Sequence, residues 1–474
     1  MFVSVKRLWP MLYFCFVFGA LHAPRAHAVE AGNSPASHEK LAWRMELDRV
    51  DADIDRTDLP HLLEKISIAT GWDVYLQPGT SQNVSAKFKN LPSQEALKLL
   101  LGKLNFALLP QSNDVLKLCI YKTDLKAATQ LIPRPEKTAI ENKKNLIANE
   151  LIVSLKPGQK IDDLARLLGA KIIGRNEELN AYRLQFPDAA AAQNARALLD
   201  SNPAVASIDS NYFMEQPVSA ESMGLSASLP FNLKPTAVGD ANHLIVGLID
   251  SPVQKLGGSM DQFLLVPLSV AGDASPSPTL PTHGTSMSET ILRGISMMDD
   301  DGAASKVRIL PVDVYGRQTQ TTTFDVANGI YQAVNHGAMV INLSLGSSAD
   351  SPLLHSVIQS AHDQGVIFFA AAGNEPTTAP TYPAAYPEVT AVTAGDKNGA
   401  IASYANRGSF IDVVAPGSTV VSYNNRLFYV SGTSASSAYA AGMAAGLSDF
   451  SKKSLAQVEA GLRATLAPKT ASTK

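Results

Sequence analysis

The stretch that decides how this chain is read is "SGTSASSAYAAGMAA", residues 431–445. Nearly every side chain in it is small. Glycine and hydroxyl residues open it, and alanines close it. Two readings fit. One is a tightly packed helix entry in a core. The other is a serine, Ser434, presented at a helix N-terminus where a substrate can come very close. The stretch alone does not choose between them, so the choice depends on what the rest of the chain places beside it.

Working outward, the block over 230–474 alternates near-continuous apolar runs with helical periods. "HLIVGLID", "VRILPVDV", "AMVINLSLG", "GVIFFAAAGN", "VTAVTAG" and "FIDVVAPG" read as strands of a parallel sheet buried on both faces. "FDVANGIYQAVNHG" and "SPLLHSVIQSAHDQG" read as helices between them. The expected fold is a doubly wound α/β domain. In that fold reactive groups collect at the carboxyl ends of strands. Asp250 closes one such run, Ser344, Leu345 and Gly346 close another, and Asn374 a third. His283 stands at a helix entry, "THGT".

Each of these residue types has a chemical use. A serine hydroxyl is a weak nucleophile at neutral pH and needs a base. Histidine is the natural base. A buried carboxylate fixes its tautomer and stabilises the imidazolium that forms. An asparagine amide and a backbone N–H at a helix start can donate to a developing oxyanion. Gly432 and Ala435 leave room for an acyl group, and Ala438, Ala441 and Gly442 suit close helix packing beneath the serine.

With "IDSPV", "HGTSMSETI", "INLSLGSS", "AAAGNE", "TYPAAYPEVTAVTAGD", "IASYANRGSFIDVVAPG" and "SGTSASSAYAAG" in this order, the block resembles a subtilisin-family serine protease. The resemblance implies Asp250 as orienting acid, His283 as base, Ser434 as nucleophile and Asn374 as oxyanion donor. It implies that Ser344, Leu345 and Gly346 pair with the substrate backbone, and that peptides or proteins are the substrates. It implies no cofactor for the chemistry. Structural calcium is common in the family, but no acidic loop here names ligands, so no metal site is assigned. The chain departs from the family pattern at Pro252, Ser286, Glu289 and Ala438-Tyr439, where glycine, histidine, a small residue and Pro-His are usual. None of these removes a catalytic atom. They alter helix packing and pocket shape, and leave open a second reading: a catalytically weak or silent protein of the same fold that binds peptides or serves envelope assembly.

Two small α+β domains are expected upstream. The nearer, over 150–213, runs β-α-β-β-α-β from "ELIVSLKPG" to "NPAVASIDSNYF", the order of a ferredoxin-like sandwich. It resembles the propeptide of the protease family, which helps the catalytic domain fold and inhibits it. Linkers are read over 123–149 and 214–229, the second, "MEQPVSAESMGLSASLP", as exposed and open to self-cleavage. The farther domain, over 42–122, includes "VSAKFKNLPSQEALKLLLGKLNFAL" and a hairpin turning near Ser112–Asp114. It resembles the short N-terminal domain of secretins and TonB-dependent receptors, which implies an envelope protein partner.

The chain opens on Lys6 and Arg7, an apolar run too short to span a bilayer comfortably, and Ala26 and Ala28 in A-x-A positions. Residues 1–28 therefore read as a signal peptide, with no transmembrane segment left in the mature chain. The protein is expected to be exported, to the periplasm, outer membrane or medium of a Gram-negative-like bacterium. Cys15 goes with the signal, and Cys119 alone allows no intramolecular disulfide. A net charge of −3 without a basic run argues against nucleic acid as a partner.

Overall fold

The structure, a computed structural model, describes residues 40–44, 48–110, 116–132, 145–217, 220–227, 233–237, 243–299, 302–396 and 398–468. The signal peptide, the turn near Ser112–Asp114 and parts of both linkers lie outside the described residues.

The apolar runs over 243–416 form a seven-stranded, all-parallel sheet. Its order is Leu268–Ser269, Val307–Asp313, Leu244–Asp250, Ala338–Leu343, Ile367–Ala371, Val389–Gly395 and Val413–Pro416. The strand Leu244–Asp250 comes first in sequence yet sits inside the sheet. The winding direction reverses beside it, which opens a crevice at its carboxyl end. Alternate residues feed two cores. Ile249, Val312, Ile341 and Phe368 pack under the helices Thr323–Asn335 and Pro352–His362. Val246, Leu248, Ile309, Val340 and Phe369 pack under His283–Ser296 and Thr433–Ser451. Side-chain caps start these helices, from Thr282, Thr322 and Ser351. Thr433–Ser451 has no such cap; it opens on Gly432 at φ +136°, backbone that glycine enters without strain.

The last two helices of that second face cross at glycine. A Cβ on Gly294 would lie 2.6 Å from the Tyr439 carbonyl, and one on Gly442 would collide with that of Ile291. The small residues of 431–445 thus serve packing as well as access.

The domain read over 150–213 folds as an antiparallel sheet ordered Val205–Glu215, Leu146–Leu155, Ala181–Gln185, Lys171–Asn176, with helices Ile161–Leu167 and Ala189–Leu199. Its outer strand does not end at Phe213. Phe213, Met214 and Glu215 pair antiparallel with Thr322, Thr321 and Gln320 of the following domain. Met214, read from sequence as exposed linker, is fully buried in the core shared with Phe324 and Val326. Glu221 and Ser222, from the same linker, pair with Tyr429 and Phe428.

Polar contacts continue this seam. Asp209 accepts the Leu353 N–H (2.7 Å) at the start of Pro352–His362. Asn211 accepts from the Thr323 hydroxyl (3.0 Å), and Arg183 reaches from Glu150 (2.7 Å) to Asp325 (3.3 Å). Burial pushes the Asp209 and Asp325 carboxyls up, against the pull of these partners.

The N-terminal domain has its own core, around Leu59, Leu62, Leu63, Ile66, Leu97 and Leu100. Its strand Arg49–Asp58, between Lys40–Arg44 and Asn83–Leu91, has no counterpart in the sequence reading. The segment over 123–132, read as linker, supplies a strand at Gln130–Leu131 beside Asp73–Leu76.

Candidate active site

Asp250 ends the interior strand at the reversal point, where the fold opens its crevice. His283 begins the helix that faces it. Its Nδ1 lies 2.8 and 2.9 Å from the two Asp250 carboxylate oxygens, and both side chains are 2% exposed. An ionised carboxylate only accepts, so in the neutral ring Nδ1 is the nitrogen that carries the proton and Nε2 the one with the lone pair. The carboxylate is itself anchored: Oδ1 accepts from the Ser251 N–H (2.7 Å) and hydroxyl (3.1 Å). The Ser251 hydroxyl oxygen accepts the Gly284 N–H (2.9 Å), which ties the acid's loop to the base's helix. Gln254 adds two more ties, accepting from the Thr282 N–H (2.7 Å) and donating its own N–H to the Thr285 hydroxyl (2.8 Å).

A second carboxylate closes the neighbouring strand. Asp313 pairs in register with Asp250 and accepts the N–H groups of Tyr315 and Gly316, each at 2.9 Å. Burial raises its pKa, and the Asp250 charge adds to the rise.

Ser434 sits in the first turn of its helix, 6% exposed. Its hydroxyl donates to the Ser344 carbonyl (3.3 Å), and the Ser344 hydroxyl donates to the Ser434 carbonyl (3.2 Å). Asn342 donates to the Ser344 hydroxyl (2.9 Å) and accepts from Ser437 (2.8 Å). Strand end and helix start are thereby laced together. A hydroxyl has one proton to give. With Ser434 oriented this way, that proton points to Ser344 and not to His283.

Asn374 is exposed at the end of the next strand's loop. Its Oδ1 accepts the Thr433 N–H (2.9 Å) and hydroxyl (3.1 Å), which leaves Nδ2 as the free donor. Gly373 donates to the Thr433 hydroxyl (3.0 Å), and Asn406 braces the same loop from behind through the Ala372 carbonyl (2.7 Å).

The structure thus brings together Asp250 and His283, Ser434 and Ser344, and Asn374 with the residue before Ser434. Leu345 is buried in the core and contributes only backbone to the edge; Gly346 lies against the Tyr382 carbonyl. Sequence reasoning did not single out Ser251, Gln254, Thr433, Asn342 or Asn406. Two of these, Ser251 and Thr433, directly flank a named residue, and that adjacency was the available signal. Among the described residues, no three His, Cys, Asp or Glu side chains are placed to hold a metal ion.

Glu289, where the family pattern has a small residue, is buried on the His283 helix. It accepts the Ser422 N–H (2.9 Å) and pairs with Arg293. Burial raises its pKa.

Residues 242–473 match the Subtilase family, and residues 133–211 match the fervidolysin N-terminal prodomain. The thermophilic serine proteinase of Bacillus sp. (strain AK1) is 42% identical over 146 residues, 30% of this chain and 36% of that protein. Subtilisin BL of Lederbergia lenta is 36% identical over 186 residues, 38% of this chain and 69% of that protein. The chain therefore spans little more than a third of the first relative's length. A variant of the epidermin leader peptide processing serine protease of Staphylococcus aureus superposes with a TM-score of 0.51 at 16% identity. The match covers 66% of this chain and 92% of that one, a likeness of fold.

Proposed function

Because the chain belongs to the subtilase family, we propose that it is a serine endopeptidase that hydrolyses peptide bonds through an acyl-enzyme. The buried Asp250–His283 pair, together with a serine in the first turn of a helix, carries this reading. Ser434 turns from the Ser344 carbonyl towards His283 Nε2 and attacks the scissile carbonyl carbon. His283 takes the hydroxyl proton and passes it to the leaving amine. Asn374 Nδ2 and the Ser434 N–H hold the oxyanion. Water then attacks the acyl-enzyme, with His283 as base again, and releases the second product. Gln320–Thr322 and Ser344–Gly346 offer backbone edges that an extended substrate can pair with.

We infer that the first substrate is the chain itself. The linker is paired to Gln320–Thr322 through Glu215, and from Glu221 it is paired to Arg426–Ser431, the strand leading into Ser434. We propose the cut between Glu215 and Glu221, inside the window of about Tyr212 to Leu229 expected from the sequence. The match to a prodomain supports this assignment.

Export, with removal of residues 1–28, and an envelope partner for residues 42–122 complete the proposal. No described helix is long and apolar enough to cross a membrane.

The Ser434 hydroxyl pointing at Ser344 favours one rival, a silent peptide-binding scaffold. A fluorophosphonate probe separates the two. Labelling of the wild type and none of Ser434→Ala is expected, together with a new N-terminus inside 216–221 in the wild type only. Absence of labelling in folded wild type would sink the enzyme reading.

A further inference from the structure

Among the described residues upstream of the linker, the prodomain seam is one contact with the catalytic domain. A second lies on the loop that follows Asn374. The strand Gln130–Leu131 uses its inner side for its own domain: Leu131 pairs with Tyr75, and the Ile132 N–H donates to the Val74 carbonyl (2.8 Å). Its outer side faces the catalytic domain. There the Leu131 N–H donates to the Pro376 carbonyl, and Leu131 forms a parallel bridge with Thr377. Thr377 is bound in turn by the Arg407 N–H (2.9 Å). The Arg407 side chain, 6% exposed, donates to the carbonyls of Ala402, Ser403 and Ala405, and its remaining reach goes to the Thr129 hydroxyl oxygen (3.2 Å). Burial lowers the Arg407 pKa. Among the described residues its acceptors are all neutral oxygens, and a buried guanidinium gains from each acceptor it finds. Tyr75 stands close enough to feel the charge of Glu375.

We propose that Thr129–Ile132 is a clamp that holds the N-terminal domain on the Glu375–Thr377 loop, so that the severed N-terminal fragment is a two-point inhibitor, gripped here and at the prodomain seam. The inference rests on the self-cleavage proposed above. Two contacts on one covalent fragment raise the effective concentration of each while the other is engaged. The cut alone therefore leaves the enzyme latent, and release needs both contacts to open together. A partner that pulls on the N-terminal domain would open one of them.

The test separates the clamp from self-cleavage. All chains carry Ser434→Ala and a site-specific protease sequence inserted after Pro217, ahead of the Glu221–Ser222 pairing with Arg426–Ser431, so cutting does not depend on the enzyme. One also carries Leu131→Pro, which removes the donor to Pro376 and none of the bonds to Asp73–Leu76. A third carries Thr129→Val, which removes the Arg407 acceptor and keeps the side-chain shape. After complete cutting, fragment dissociation is followed by size exclusion on dilution. Loss of one hydrogen bond corresponds to roughly threefold to tenfold faster release. That result is expected for Leu131→Pro, with Thr129→Val at the lower end and serving alone if the proline chain does not fold. Release at the parent rate from a folded variant would overturn the clamp. An uncut wild-type chain, with Ser434 intact, would overturn self-cleavage and leave this measurement standing.

Discussion

Asn374 takes its orientation from Thr433, the residue immediately before Ser434: both the N–H and the hydroxyl of Thr433 donate to Asn374 Oδ1. The proposed oxyanion donor and the proposed nucleophile are thus tied through one residue. Asn374→Ala is expected to lower kcat by roughly 10²–10³ with KM little changed, the size found when this donor is removed from a subtilisin and carried over here. Thr433→Val keeps the N–H tie and loses the hydroxyl tie, so a smaller fall in kcat, about tenfold, is expected. Steady-state kinetics on a chromogenic peptide reads both. A rise in KM at constant kcat would place Asn374 on the ground state instead.

Gly442→Ala puts a methyl group against the Ile291 carbonyl where the two helices of the second core cross. Overpacking of this kind costs about 1–3 kcal/mol. Chemical denaturation of the Ser434→Ala chain should show a lower midpoint with an unchanged slope. An unaffected midpoint would mean that the helices can separate freely at this point.

Glu289 gives a pH dependence with a definite sign. Burial raises its pKa in the folded chain, while the Arg293 and Ser422 hydrogen bonds pull it down. The folded state keeps the proton to higher pH than the unfolded chain does. Its contribution to stability is therefore greatest at low pH and is lost as pH rises through the window above the ordinary carboxylate range. Measured as Tm from about pH 4 to about pH 7, the wild type should lose ground to Glu289→Gln as pH rises. Parallel curves would show that this carboxyl does not titrate in that window.

Placement was legible in the sequence where residue type and strand-end position coincided: Asp250 ends Leu244–Asp250, and Asn374 follows Ile367–Ala371. The doubly wound sheet was legible because its strands are continuous apolar runs between helical periods. What stayed hidden was non-local. Met214 looks like linker because its partner, Thr321, lies far along the chain. Arg49–Asp58 alternates with Val50, Ala52 and Ile54 inward, but its many charges masked the period. Ties such as those of Ser251, Gln254 and Asn342 follow no periodicity, since a hydroxyl or amide acquires a partner only once the backbone is placed.

The interior strand Leu244–Asp250 also bears on folding order. Both its neighbours, Val307–Asp313 and Ala338–Leu343, are synthesised well after it, so it must wait for distant pairing, which is slow. The sheet over 146–215 is built mainly from nearby strands and can close early, presenting Phe213–Glu215 as a ready edge for Gln320–Thr322. Pulse-labelled hydrogen exchange during refolding of the Ser434→Ala chain should therefore find the amides of 151–155 protected before those of 245–250. Simultaneous protection would mean that the two sheets form as one unit.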